Sequence, residues 1–199
     1  MSYLRRDLIS SVIAVVGFTL VLGLAYPLFV TGVSQVVFPD KSDGSKVERD
    51  GKVVGSSLIA QDFRRDRRYF QPRPSQTNYA ADATGYLNQG PNQDRLAQLT
   101  KRRIRDFIAL ERPFDPGLTV GAIPVDAVTN SASGVDPHIS EANARIQANR
   151  IARVRRAPLA RVKALIDDNT DERFAGFLGE PGVNVLELNL ALDKEFPRA

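Results

Sequence analysis

The chain has 199 residues, 27 Lys and Arg against 23 Asp and Glu, one histidine and no cysteine. Without cysteine, disulfides, thiolate catalysis and zinc–sulfur sites are all excluded. The small positive excess is spread along the chain, so Arg64, Arg65, Arg67 and Arg68, Arg102, Arg103 and Arg105, and Arg153, Arg155 and Arg156 read as solvated surface. Nucleic acid would require them on one face with aromatic platforms, and no nucleic-acid partner is expected.

Residues 1–7 read as a short cytoplasmic N-terminus containing Arg5 and Arg6. The next 31 residues, 8–38, contain no Asp, Glu, Lys, Arg or His. A bilayer core needs roughly 20 apolar residues in a helix. The run therefore reads as a transmembrane helix and its exit. It is longer than a signal-peptide core, and Leu22 to Val30 offers no Ala-x-Ala-like cleavage site. A retained anchor follows. Two arginines precede the span and one lysine, Lys41, follows it closely, which places the N-terminus in the cytoplasm and residues 39–199 outside it.

Pro27 lies late in the span, where its missing N–H leaves a helical carbonyl unpaired and its ring kinks the helix. In lipid a neighbouring helix usually satisfies such a group. Gly23 and Gly32 permit close backbone approach, and Gln35 offers an amide near the outer end. With Tyr26 and Thr31 these residues form the expected partner contact within the bilayer.

The remainder, 39–199, reads as an α+β domain. Asp50-Gly51 between apolar positions predicts a hairpin, and Leu58-Ile59 suggests another short strand. From Phe70 to Asn92 a loop rich in Pro, Gly and Asn is expected to be ordered because it carries Tyr79 and Tyr86 beside Tyr69 and Phe70. Asn92 is placed to cap a helix from Gln93 to Arg112, with Leu96, Leu99, Phe107 and Leu110 on one side. Leu118 to Thr129 reads as extended, broken at Pro124, and Asn130 to Pro137 as a turn cluster. Ser140 is placed to cap a helix reaching about Arg156 with Ala144, Ala148, Ile151 and Val154 inward. Pro158 opens the next helix, through Val162, Leu165 and Ile166. From Val183 to Asp193, alternation argues strand and leucine-richness argues helix, and both remain open.

No phosphate-binding glycine loop or H-E-x-x-H motif occurs. Ser133, Asp136 and His138 lie close in sequence, as a hydrolase triad would require only if they also met in space. A Pro137-containing turn favours a structural role for Ser133, Gly134, Asp136, Pro137, His138 and Ser140. A lone histidine makes no metal site, so no catalytic, cofactor or metal residues are assigned.

Five segments carry a resemblance. They are Tyr26-Pro27 to Pro39, Asp50-Gly51 to Phe63, Tyr69-Phe70-Gln-Pro-Arg73-Pro74-Ser75, Val128-Thr129 to Ser140, and Phe177-Leu178-Gly179-Glu180-Pro181 to Asn189. In this order they resemble the C subunits of bacterial Kdp-type potassium-transporting P-type ATPases. Gly85 to Pro91 and the arginine-rich Phe63 to Tyr69 depart from that family's pattern. The resemblance implies a non-catalytic accessory subunit in the bacterial inner membrane, partnered by a potassium-channel-like subunit, a P-type ATPase catalytic subunit and the lipid bilayer. Potassium and ATP would be handled by the complex, with a chaperone-like increase in the pump subunit's ATP affinity. Cytoplasmic ATP is out of reach of an exported domain, so such an effect is expected to be indirect. The alternative is a membrane-anchored extracytoplasmic hydrolase or binding protein using Ser133 to His138.

Overall fold

The computed structural model describes residues 2–82 and 88–197 and divides into two compact units, Met1–Lys46 and Val47–Ala199. The first is an almost uninterrupted helix. Helix α1 (Ser2–Phe18) runs into a π-helical stretch, Thr19–Ala25, and then α2 (Tyr26–Val37). Together they are long and apolar enough to cross a membrane, and their side chains are unburied. Phe38 leaves helical geometry and the short α3 (Pro39–Ser42) follows.

The π stretch has a local cause. Pro27 stands in the first turn of α2 and has no N–H, while its ring crowds the carbonyl four residues back. In the π register the Tyr26 N–H bonds Val21 O, five residues back. The expected disturbance is thus absorbed as a widened turn just before the proline, with Gly23 inside it.

The second unit starts with a hairpin, β1 (Lys46–Arg49) and β2 (Lys52–Ser56). Asp50 and Gly51 both have positive φ, 53° and 73°, as the mirror-image turns of hairpins require. Leu58-Ile59 forms a turn, not a strand, closed by the Ile59 N–H on Ser56 O. Helix α4 (Asp94–Glu111) is entered through Gln93 and not Asn92, without a side-chain cap. Residues 118–129 are not extended. Val120–Ala122 and Val125–Ala127 form two single 3₁₀ turns on either side of Pro124. Of the loop aromatics, Tyr69 and Phe70 are buried and Tyr79 half-buried, while Tyr86 lies outside the described residues.

Three short strands, β3 (His138–Ile139), β4 (Thr170–Asp171) and β5 (Gly182–Asn184), form an antiparallel sheet with β5 central. Helices α5 (Glu141–Arg155), α6 (Leu159–Asp168) and α7 (Val185–Glu195) complete the α+β domain. Ser140 caps α5 by accepting from the Asn143 N–H at 3.2 Å, and Arg156 ends it in left-handed geometry before Pro158. The ambiguous tail is both things in turn. Asn184 is the last residue of β5 and caps α7, accepting from the Leu186 and Glu187 N–H groups.

Ala144, Ala148 and Ile151 on α5 meet Val162, Leu165 and Ile166 on α6, Leu188 and Leu192 on α7, Ile139 and Val183 on the sheet, and Phe70. The irregular segment 67–71 lies against this core and is held by side chains in place of a neighbouring strand. Arg150 Nη1 donates to Arg67 O at 2.6 Å and Tyr69 O at 2.9 Å, and Arg155 Nε donates to Arg68 O. The Asn189 amide brackets Phe70, taking its N–H at 2.9 Å and giving to its O at 3.0 Å, and Gln147 does the same for Gln71.

Arg150 and Glu111 are both fully buried and joined at 2.9 Å and 3.1 Å. Burial pushes the Glu111 carboxyl above the ordinary carboxylate range and the Arg150 guanidinium below its own, each opposed by the other's charge. Replacing Glu111 by Ala leaves an uncompensated buried guanidinium, so Glu111→Ala should cost about 3–5 kcal/mol. Urea unfolding of the detergent-solubilised chain followed by circular dichroism measures this, and a loss below about 1 kcal/mol would contradict the assignment.

Candidate functional site

On the membrane helix, Gly23 lies in the π stretch and Tyr26, Pro27, Thr31, Gly32 and Gln35 in α2. Pro27, Thr31 and Gln35 are four residues apart and so share a slowly turning face. Among the described residues, and apart from the helix's own nearby backbone, nothing lies within 4 Å of a Cβ placed at Gly32, and the Thr19 methyl lies 3.8 Å from one placed at Gly23. The whole stretch from Tyr26 to Thr31 is exposed, which leaves its apolar and small groups open to lipid or to another helix.

The 133–140 segment is built as an internal brace. Asp136 Oδ1 accepts the His138 N–H at 2.9 Å, a local turn closed by a side chain. Its other oxygen takes Arg73 Nη1 at 3.1 Å, and Arg73 Nη2 donates to Asn130 O. The Pro137 carbonyl accepts the Val185 N–H, and Val135 O accepts the Ala60 N–H. Gly134 has φ +78°, and a Cβ there would lie 3.0 Å from Thr77 Oγ1, so both conformation and space call for glycine.

The triad geometry is not assembled. His138 Nε2 pairs with Asp171 Oδ2 at 2.8 Å. The Ser133 hydroxyl accepts from the Val135 N–H, and the Ser140 hydroxyl donates to Asp126 Oδ1 while capping α5. Among the described residues no serine hydroxyl is bonded to the imidazole. The histidine ring rests on Gly182, whose Cβ position would be 3.2 Å from that of His138.

A cleft of about 690 Å³ lies between α4 and residues 62–79, lined by Arg65, Arg67, Arg102, Arg103, Tyr79 and Phe107. Sequence reading spread these arginines over solvated surface. Their convergence depends on the 62–79 loop folding back on α4, which no local periodicity signals. Arg65 is paired with Asp106 at 3.2 Å, and Arg103 bonds Val128 O and the Asn130 side chain. Partial burial holds the Arg103 guanidinium below its ordinary value. Tyr79 donates to Arg73 O at 2.8 Å, and burial pushes its phenol up to about 12.

A phenol whose folded value is raised contributes stability below the unfolded value, near 10, and loses it as pH rises toward about 12. Alkaline difference spectra should therefore show late tyrosine ionisation, and Tyr79→Phe should lower its amplitude by one phenol. An unchanged late amplitude in the variant would contradict the assignment.

An apolar, membrane-length helix followed by a small α+β domain defines a class of single-span proteins. Within that class the chain belongs to the KdpC family. Residues 8–194 match the family model described as K+-transporting ATPase, c chain. The chain is 47% identical over 197 residues to the potassium-transporting ATPase KdpC subunit of Rhodospirillum rubrum, covering 98% of each chain. It is 47% identical to that of Caulobacter vibrioides over 99% of this chain and 95% of the relative. It is 44% identical to that of Mycobacterium tuberculosis over 96% of this chain and the whole of the relative.

Proposed function

We propose that this chain is a non-catalytic accessory subunit of an ATP-driven potassium uptake complex. It stabilises assembly of a channel-like subunit with a P-type ATPase subunit and binds no cofactor itself. Full-length similarity to subunits named for potassium-transporting ATPases supports the setting. The observation that carries the assembly role is the exposed membrane helix, with its widened turn, proline and two open glycines.

In this reading Gly23, Tyr26, Pro27, Thr31, Gly32 and Gln35 form the contact with partner helices. The glycines allow backbone approach, and Gln35 supplies an interhelical hydrogen bond worth on the order of 1 kcal/mol. Any rise in the pump subunit's ATP affinity reaches it through this helix. The N-terminus lies in the cytoplasm of a bacterial inner membrane and the α+β domain outside, following Arg5 and Arg6. The hydrolase alternative is disfavoured because the Ser133 and Ser140 hydroxyls bond Val135 and Asp126 while the His138 ring bonds Asp171.

Replacing residues Ile9 to Val37 with a generic Leu/Ala anchor should keep the domain folded and exported but weaken co-purification with partner subunits in mild detergent. Wild-type yield and full transport by that variant would reduce the helix to a tether. A reporter fused after Ala199 should work only if it is a type active outside the cytoplasm. Activity of a cytoplasm-only reporter would reverse the orientation and restore direct access to ATP.

A further inference from the structure

Every residue from Asp171 to Glu180 is exposed, yet the stretch is firmly closed by backbone hydrogen bonds. The Phe174 N–H donates to Leu178 O at 2.8 Å, and the Leu178 N–H returns to Phe174 O at 2.9 Å. Ala175 and Gly176 turn the chain with φ 53° and 81°, an uncommon left-handed position for a residue carrying a Cβ. Arg173 and Glu180 clamp the two arms at 2.7 Å. At the tip Phe174 is 76% exposed, Phe177 69% and Leu178 50%. Three large apolar side chains on a preformed turn lose little conformational freedom when a partner covers them, which is the usual build of an interface anchor.

The flanks indicate what covers it. Between Asp167 and Glu180 the chain has five carboxylates and one arginine, in a protein that is positive overall. Asp167 pairs with Arg145, Asp171 with His138 and Glu180 with Arg173, whereas Asp168 and Glu172 have no ion-pair partner among the described residues. An anionic bilayer surface repels such a flank. A symmetric contact with a second copy would set the same carboxylates against each other. An apolar pocket rimmed by Lys or Arg on another protein satisfies both parts.

We propose that the Phe174–Leu178 tip is a docking element. It seats in a basic-rimmed apolar pocket on a larger subunit of the transport complex, on the same side of the membrane as the α+β domain. This rests on the accessory-subunit reading and adds to it a surface separate from the membrane helix.

The test uses the full-length chain in native membranes, with a photoreactive phenylalanine analogue at Phe177 and, as control, at the exposed Arg153 of α5. Irradiation should cross-link position 177, and not 153, to a larger partner subunit at peptides containing Lys or Arg. Phe174→Ser with Phe177→Ser should leave the chain's abundance in membranes unchanged and lower its recovery with the partners tenfold or more. Glu172→Lys should lower recovery in the same direction. If position 177 cross-links only lipid or a second copy, or if the double variant is recovered at wild-type yield, the docking proposal fails while the accessory-subunit reading stands. If the unmodified chain itself recovers no partner, that reading fails and the docking proposal falls with it.

Discussion

The α+β domain depends on one substitution of side chains for backbone. The segment Arg67 to Gln71 has no neighbouring strand and is buried at Tyr69 and Phe70, where its backbone polar groups would otherwise go unpaired. Arg150 and Arg155 from α5, Gln147 from α5 and Asn189 from α7 take the place of that strand. Arg150 is costly to bury and is tolerated because Glu111 neutralises it from α4 and Gln147 accepts from its Nη2. One guanidinium therefore fixes α4, α5 and the loop together. The same segment delivers Tyr69 to Asp193 at 2.9 Å, with Arg155 stacked over the ring at 4.8 Å, and Asp193 in turn holds Arg49 of the hairpin.

This arrangement explains why the 133–140 segment, whose residue types read as a site, serves as a brace in this structure. Its polar groups are occupied in holding neighbours: Asp136 holds Arg73, Ser140 caps α5, and Asp126 gathers Ser140 and Asn143. Asn143 continues through Gln147 to Arg150, so the turn and the buried ion pair belong to one hydrogen-bonded chain. The membrane helix and the 174–178 tip, by contrast, are exposed surfaces.

Legibility in the sequence followed the range of the forces involved. Asp50-Gly51, Ser140 and Pro158 act on their immediate neighbours, so hairpin, cap and helix start were readable. The apolar run from Leu8 to Phe38 was readable because length and absence of charge suffice. Val183 to Asp193 stayed undecided because alternation and helical spacing overlap there, and the decisive residue is Asn184, which serves strand and cap at once. Residues 118–129 looked extended because Pro124 and β-branched residues favour that form, yet two 3₁₀ turns prevail. The ladder around 67–71 and the arginine-lined cleft join residues up to about 120 positions apart, such as Phe70 and Asn189, and no local pattern encodes them.

The π stretch has a consequence for orientation along the helix axis. An α-helix turns about 100° per residue, and a stretch bonded five residues back holds extra residues per turn. The stripe presented by α1 and the stripe presented by α2 are therefore out of phase across Thr19–Ala25. A span of identical composition wound as uninterrupted α-helix would swing one half around relative to the other. The two depths of the span can thus address neighbours lying in different directions, and a single helix can act as a wedge between two bodies instead of a rib along one.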